Sequence, residues 1–215
     1  MEIPFTTGQF FDVFEKYNLT IFPFQLIILV TGIISLFLLH SKSPLRDNFI
    51  GSFLGFLWIW MGIVYHITFF TEINKAAYMF GILFILQGVL LLTNAFISDK
   101  LAFTFATQSK DYVGYFFLIF GLIIYPIISY LLKDSFAKTI SLGLPCPTTI
   151  FTFGFFILAN NKFPIYLVVI PALWAIVGLS AAVSFGVYQD FMIMIAAICT
   201  VVIVINGKRK ATLSH

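Results

Sequence analysis

The sequence predicts an all-α protein that crosses a membrane about seven times. Of its 215 residues, 60% are hydrophobic and only 10% are charged, whereas soluble domains have roughly 25% charged residues. The mean hydropathy is +1.03. The apolar residues also lie in separate blocks, most of which are long enough to cross roughly 30 Å of hydrocarbon as helices. We therefore expect one transmembrane helical domain over residues 1–215.

Turn residues and charges separate the apolar blocks and set the limits of the predicted spans. The first block ends at His40, the second at Glu72 and the third before Asp99. The seven predicted spans cover residues 19–39, 49–70, 77–97, 112–132, 148–159, 164–187 and 191–205.

The fifth predicted span is short. A helix over residues 148–159 would rise only about 18 Å, which is less than the hydrocarbon thickness. The segment is therefore either a steep minimal span that its flanking residues complete, or a half-helix packed against its neighbours. We favour the span, which makes the number of crossings odd.

The positive charges favour one orientation, because cytoplasmic flanks collect Lys and Arg. With the amino terminus outside, the inner segments contain eight of the 12 basic residues. They are Lys42, Arg46, Lys100, Lys110, Lys162, Lys208, Arg209 and Lys210. The outer segments contain Lys16, Lys75, Lys133 and Lys138 with the acidic residues Glu2, Asp12, Glu15, Glu72, Asp134 and Asp190. We expect a multi-pass protein of the cell (inner, cytoplasmic) membrane whose carboxyl terminus is cytoplasmic and whose first span inserts the chain, since residues 1–18 show no signal-peptide pattern.

His66 is the only histidine well inside a predicted span, and ionisable groups there usually face the bundle interior. Its helical phase agrees, because it shares a stripe with small residues that let a neighbouring helix approach closely. They are Gly51, Gly55 and Gly62. His66 is either a neutral imidazole with one interhelical hydrogen bond or a group that binds a ligand or a proton.

Seven further residues complete a predicted ligand or ion site in the outer half of the bundle. They are Tyr65, Glu72, Asn74, Gln87, Cys146, Thr148 and Thr149. A plain interhelical hydrogen bond is the alternative interpretation of Gln87, and a solvated helix end is the alternative for Glu72. The tryptophans and phenylalanines are interpreted mostly as core or lipid-facing side chains.

Two prolines surround Cys146 where a loop becomes the fifth predicted span. Pro147 suits the first helical position, and the free amides of a first helical turn favour an anion or a thiolate. Three interpretations remain open: a structural helix entry, a substrate or ion site, and a metal or redox site. For a soft ion such as Cu(I), the candidate ligands are His66, Cys146 and Met61.

Several strings carry a resemblance to a known family. They are FTTGQFF at residues 5–11, WIWMGIVYH at 58–66, INKAA at 73–77 and GLPCPTTIF at 143–151. Over essentially its whole length the chain resembles an uncharacterised family of small multi-span prokaryotic membrane proteins, a domain of unknown function. The resemblance implies the multi-span fold, and it implies no activity, cofactor or site residue.

Function is predicted only as a choice among classes. The leading hypothesis is a channel, carrier or sensor for a small solute or ion, so that the expected partners are this solute and the lipid bilayer. The alternatives are a metal-binding, redox or enzymatic membrane protein that uses Cys146, and a structural or assembly subunit. An enzyme is less favoured because the spans show no carboxylate pair, Ser-His-Asp order or dense His/Cys cluster. Scattered basic residues argue against nucleic acid, the cofactor is unknown, and a homo-oligomer is left open.

Overall fold

The computed structural model describes residues 4–98 and 101–213 of the chain. Within these ranges the regular structure is helical, apart from two isolated β-bridges. Five of the charged residues used to predict the orientation have side chains that lie outside the described part. They are Glu2, Lys100, Lys208, Arg209 and Lys210.

Most of the chain lies in helices joined by short connections. The helices are α1 (Thr7–Ile21), α2 (Phe24–Leu38), α3 (Arg46–Trp60), α4 (Ala77–Phe96), α5 (Ser109–Ile119), α6 (Tyr125–Lys133), α7 (Pro145–Ile157), α8 (Val169–Phe185) and α9 (Phe191–Leu213). A π-helix, Met61–Phe69, and a 3-10 turn, Phe70–Glu72, continue α3. A second π-helix, Phe120–Ile124, joins α5 to α6, and the 3-10 turns Ile165–Val168 and Tyr188–Asp190 precede α8 and α9.

Several of these helices can cross a membrane. Five are long and apolar enough: Arg46–Glu72, Ala77–Phe96, Ser109–Lys133, Ile165–Phe185 and Tyr188–Gly207. Helices α1 and α2, which are bent by 88°, would together make a sixth. The prediction of an all-helical fold with several helices long and apolar enough to cross a membrane is confirmed. The described residues support five or six such helices by length and composition, and the number seven stays a prediction.

The first predicted span contains a break. Helix α1 ends at Ile21 and α2 begins at Phe24, so that the sharp bend falls inside the predicted range 19–39. Pro23 has no amide hydrogen and cannot continue the hydrogen-bond ladder of α1. The α1 helix is also amphipathic, with Phe14 buried and Lys16 exposed. It therefore lies at a steep angle to α2 with its apolar face on the bundle.

Helices α3 and α4 pack along the small-residue stripe that the sequence predicts. A Cβ atom on Gly62 would lie 2.7 Å from the Gly81 carbonyl oxygen, and one on Gly88 would lie 2.6 Å from the Gly55 carbonyl oxygen. Only glycine permits so close a backbone approach. Because His66 follows Gly62 by one helical turn, this seam directs its ring into the protein.

Helix α7 lies in the middle of the bundle. It packs against α5, α8 and α9, and all of its residues except Cys146 are buried. Its 13 residues rise about 20 Å. The segment predicted as a short span is therefore a helix enclosed by protein, and the exposed large hydrophobic residues lie on the helices around it.

One end of the bundle is covered by α1. Asn18 on α1 donates hydrogen bonds to the carbonyl oxygens of Ala137 and Thr139, at 2.8 Å each, in the connection between α6 and α7. The ring of Phe10 stacks on Phe185, the last residue of α8, with 4.5 Å between centroids. We call this the α1 end. It brings together the segments that the sequence analysis placed outside.

The remaining connections meet at the opposite end. The Phe103 amide donates to the Asp47 carboxylate at 3.0 Å, near the start of α3. The Asn160 amide, just after α7, donates to the Ala102 carbonyl oxygen at 2.9 Å. From α2 onwards, successive connections therefore alternate between the two ends of the bundle.

Candidate ligand-binding cavity at the α1 end

A cavity of about 460 Å³ lies beneath α1, between the π-helix that continues α3, the start of α7, and α8. Ligand pockets usually measure roughly 300–1,000 Å³. Aromatic side chains make much of its wall: Phe5, Phe10, Phe14, Tyr65, Phe70, Phe80 and Trp174. Its polar lining residues are Asn74, Cys146, Ser180, Ser184 and Asp190. We call this the α1-end cavity.

A larger cavity of about 560 Å³ lies at the opposite end, where Lys110, Asn160 and Asn206 contribute to its wall. None of the described residues that line it has a buried polar atom without a partner. The α1-end cavity has such a residue in Trp174. We therefore treat the α1-end cavity as the candidate site.

Asp190 is the most unusual group in this cavity. Its side chain is only 1% exposed, and its carboxylate accepts a hydrogen bond of 2.5 Å from the Tyr125 hydroxyl. Among the described residues, no ion pair includes Asp190. Burying a carboxylate without a cation is costly. A ligand that supplies the missing charge would be favoured here.

The turn between α8 and α9 places this carboxylate inside. Gly186 ends α8 in the left-handed region, with φ of 68°, and the 3-10 turn Tyr188–Asp190 follows. The Asp190 amide donates to the Val187 carbonyl oxygen at 2.9 Å. The tight turn thus directs Asp190 back into the protein while Tyr188 remains exposed.

Cys146 lies on the second helical position of α7, beside Asp190, Tyr125 and Trp174. It is partly buried and not part of a disulfide. Trp174 is 9% exposed, and its indole N–H has no partner among the described residues. The cavity therefore contains a carboxylate, a thiol and a free indole donor on neighbouring side chains.

The backbone around Cys146 is held by hydrogen bonds. Thr148 accepts from the Gly143 amide at 2.9 Å, and Thr149 donates to the Pro145 carbonyl oxygen at 2.8 Å. Gly143 adopts φ of 97°, where a side chain would be strained, and its carbonyl oxygen accepts from Tyr17 at 3.0 Å. Thr148 and Thr149, predicted as ligand residues, therefore fix the entry of α7 and do not line the cavity.

His66 lies directly behind the cavity. Its ring is 0% exposed and packs at 5.1 Å from Trp174 and 4.5 Å from Phe84, between centroids. Neither ring nitrogen has a hydrogen-bond partner in the described part of the chain. His66 and Cys146 thus approach the same tryptophan, as expected if both lie at one end of the bundle.

The predicted metal ligands do not form a cluster. Met61 is buried in the hydrophobic core, while Cys146 lies in the cavity wall. Across residues 4–98 and 101–213, no group of three or more His, Cys, Asp or Glu side chains could hold a metal ion. The arrangement gives no support to a metal site built from such a group.

The other predicted site residues divide between the cavity and other places. Tyr65 and Asn74 line the cavity. Glu72 is 49% exposed and pairs with Lys16 at 2.6 Å. Gln87 is buried within the bundle, where its amide nitrogen donates to the Leu167 carbonyl oxygen at 2.9 Å. Glu72 and Gln87 are therefore tied to other elements and do not line the cavity.

Two lysines on and after α6 make charged contacts with α1. The Lys138 ammonium lies 3.2 Å from Asp12 and 3.2 Å from Glu15. Hydrogen bonds to Asp12 and then Glu15 raise the pKa of Lys138 above its ordinary value. The Lys133 ammonium lies 3.4 Å from the centre of the Phe11 ring. These contacts join α1 to the connection between α6 and α7.

Comparison with known proteins gives one match. Residues 7–215 match a family model described as a family of unknown function, DUF6064. The chain belongs to this family. The resemblance to a domain-of-unknown-function family is thereby confirmed. No curated protein and no solved structure matches the chain, so the chemistry of this DUF6064 protein must be argued from its own site.

Sequence reasoning missed the most telling residues of this DUF6064 cavity. Asp190 was counted as a charge on an outer turn, and Trp174 was interpreted as core or lipid-facing. A signal for Asp190 was present, because only residues 188–190 separate two predicted spans and ionisable groups within the membrane region are often functional. Tyr125 gave no such signal, since its role follows from its contact with Asp190.

Proposed function

We propose that this DUF6064 protein crosses a membrane seven times with its α1 end outside, and that it binds a small solute in the α1-end cavity as a carrier or sensor. The buried carboxylate of Asp190, which has no cationic partner among the described residues, carries the proposal. Its position in the wall of a cavity of about 460 Å³ makes that carboxylate available to a ligand.

The alternation of connections between the two bundle ends supports seven crossings, with α7 as the short one. The charge balance supports the orientation. Lys42, Arg46 and Lys110 lie in or beside connections of the opposite end, and cytoplasmic connections are the ones that collect basic residues.

A carrier or sensor fits the packing better than a channel does. Helix α7 fills the middle of the bundle, where Phe151, Phe153 and Phe155 are fully buried. A solute would therefore need a conformational change to pass. Tyr65 of the π-helix Met61–Phe69 lines the cavity, and the π-helix Phe120–Ile124 is followed by Tyr125, which binds Asp190; π segments often mark functional sites.

The accessibility of Cys146 tests this proposal. The chain contains two cysteines, so a Cys199→Ser protein keeps Cys146 as its single thiol. Intact cells would be treated with the small membrane-impermeant reagents trimethylammonium-ethyl and sulfonatoethyl methanethiosulfonate, and the remaining thiol would be counted by mass spectrometry. We expect at least one reagent to modify Cys146 from outside.

A matched pair of variants shows whether the reagent travels through the cavity. Ser184 lines the cavity, whereas the neighbouring Val183 is 70% exposed and is not a lining residue. Ser184→Phe should slow modification, and Val183→Phe should leave it unchanged. Modification only from the cytoplasmic side, or from neither side, would overturn the proposed site and its orientation.

A further inference from the structure

We infer that the ligand of the α1-end cavity is an organic cation, an amine or quaternary ammonium attached to an apolar body. This inference rests on the proposed function and names the chemical class of its solute. Three features of the cavity carry it: one uncompensated carboxylate, an aromatic wall, and the lack of a basic lining residue in the described part of the chain.

The Asp190 carboxylate determines which sign of charge is favoured on the ligand. Asp190 is 1% exposed and is hydrogen-bonded to the neutral Tyr125 hydroxyl. Among the described residues that line the cavity there is no Lys, Arg or His. A cation would therefore stabilise the ionised form of Asp190 and complete a buried ion pair, whereas an anion would gain no such partner.

The wall selects the shape and polarity of the rest of the ligand. Phe10, Phe70, Phe80 and Trp174 contribute rings to one lining. The faces of such rings attract ammonium groups, and quaternary ammonium ligands are often bound in aromatic cages. A small hydrated metal ion would gain little from these rings, so an organic cation fits better.

Trp174 adds an independent indication of a ligand. Its indole N–H makes no well-aligned hydrogen bond in the described chain although the residue is only 9% exposed, and the Cys146 sulfur beside it is only a weak acceptor. Buried donors are normally satisfied. An oxygen atom on the ligand could accept a hydrogen bond from this N–H. The favoured solute therefore carries a hydroxyl or carbonyl oxygen besides its ammonium group.

Cys146 is a natural reporter of the charge in the cavity, because its thiol lies beside Asp190. In the Cys199→Ser protein, the rates of modification by the cationic and the anionic methanethiosulfonate would be measured. Each rate is divided by that reagent's rate with a free thiol. We expect the cationic reagent to be favoured by about tenfold or more, as negatively charged clefts concentrate cations.

Asp190→Asn should bring this rate ratio close to one. The ratio is the correct measure, because a change in the intrinsic reactivity of Cys146 affects both rates equally. Asp134→Asn is the matched control, since Asp134 is an exposed carboxylate at the same end and its loss should leave the ratio unchanged. A ratio that is near one with Asp190 present, or that Asp190→Asn does not alter, overturns the inference.

A second measurement needs no change at Asp190 and so does not depend on the folding of that variant. Benzyltrimethylammonium and its neutral isostere neopentylbenzene would be compared as protectants of Cys146. The inference expects saturable protection by the cation and much weaker protection by the isostere. Equal protection by both, or none by the cation, overturns it while leaving the proposed cavity intact. If neither thiol reagent reaches Cys146 from outside, the proposed function itself fails.

Discussion

The His66 side chain is fully buried, and neither of its ring nitrogens makes a hydrogen bond among the described residues. The rings of Phe84, Trp174 and Tyr65 lie within 5.1 Å of its own ring, between centroids. Burying an unpaired polar group usually destabilises a fold. The histidine therefore contributes packing to the wall behind the cavity at a cost in polar desolvation.

Replacing His66 with Leu should consequently not destabilise the fold. The two unpartnered nitrogens disappear, and we expect the unfolding free energy to stay the same or to rise by about 1–2 kcal/mol. Thermal unfolding in detergent would measure this, with Tyr65→Leu as a comparison that removes a larger buried ring. A clear loss of stability in His66→Leu would show that an imidazole nitrogen makes a hydrogen bond.

Helix α1 covers the cavity, and its buried hydrogen bonds to the rest of the bundle lie near its carboxyl end. There the Asn18 amide binds two carbonyl oxygens at 2.8 Å and the Tyr17 hydroxyl binds that of Gly143. The Lys16–Glu72 pair is about half exposed on both sides, and exposed pairs contribute little. The buried hydrogen bonds, more than the charges, keep α1 in place.

Asn18→Leu should loosen this cover. The side chain keeps a similar size but leaves two carbonyl oxygens unpaired, which we expect to cost about 1–3 kcal/mol. The modification rate of Cys146 in the Cys199→Ser protein should rise because α1 moves away more often. Leu19→Ala is the control, as Leu19 is 65% exposed. An unchanged rate in Asn18→Leu would contradict the role of α1 as a cover.

At the scale of the whole molecule, the position of the cavity depends on how closely α7 packs against the π-helix Phe120–Ile124. A Cβ atom on Gly121 would lie 2.6 Å from the Pro147 carbonyl oxygen and 3.0 Å from the Phe151 amide nitrogen. Both are backbone atoms and cannot turn aside. Gly121 therefore lets the first turn of α7 approach the π-helix Phe120–Ile124 and brings Cys146 to the cavity.

Gly121→Ala should force α7 outwards. Overpacking of this kind usually costs about 1–3 kcal/mol, and we expect a lower unfolding temperature in detergent together with altered reactivity of Cys146. Gly8→Ala serves as the control, because a Cβ atom there meets only Thr6 Oγ1, at 3.8 Å. A Gly121→Ala protein as stable as the parent would contradict the close approach.

The sequence predicted the helical membrane fold from local properties. Hydrophobic blocks and charged turns mark the membrane segments, because the free energy of transferring a segment into lipid depends on that segment's own composition. The glycine stripe before His66 indicated a closely packed neighbouring helix. This too is a local property, since the spacing of residues along one helix determines which of them share a face. The break at Pro23 was missed because the apolar block runs on through residues 22–24.

The sequence predicted only some of the residues that form the candidate site. Cys146, Tyr65 and Asn74 line the cavity as part of the predicted set, and His66 lies behind Trp174. Whether Thr148 faces a ligand or its own backbone depends on the local turn, which composition does not reveal. The pairing of Asp190 with Tyr125 joins residues 65 positions apart.

By itself, the sequence determined that this DUF6064 chain is helical, apolar and suited to a membrane, because burial of each segment in lipid is a property of that segment. Only the tertiary structure decided that the carboxylate of Asp190 turns inward and meets Cys146 beneath an aromatic cover. Such a meeting depends on the relative placement of α1, α7, α8 and α9, which is fixed by packing between distant parts of the chain.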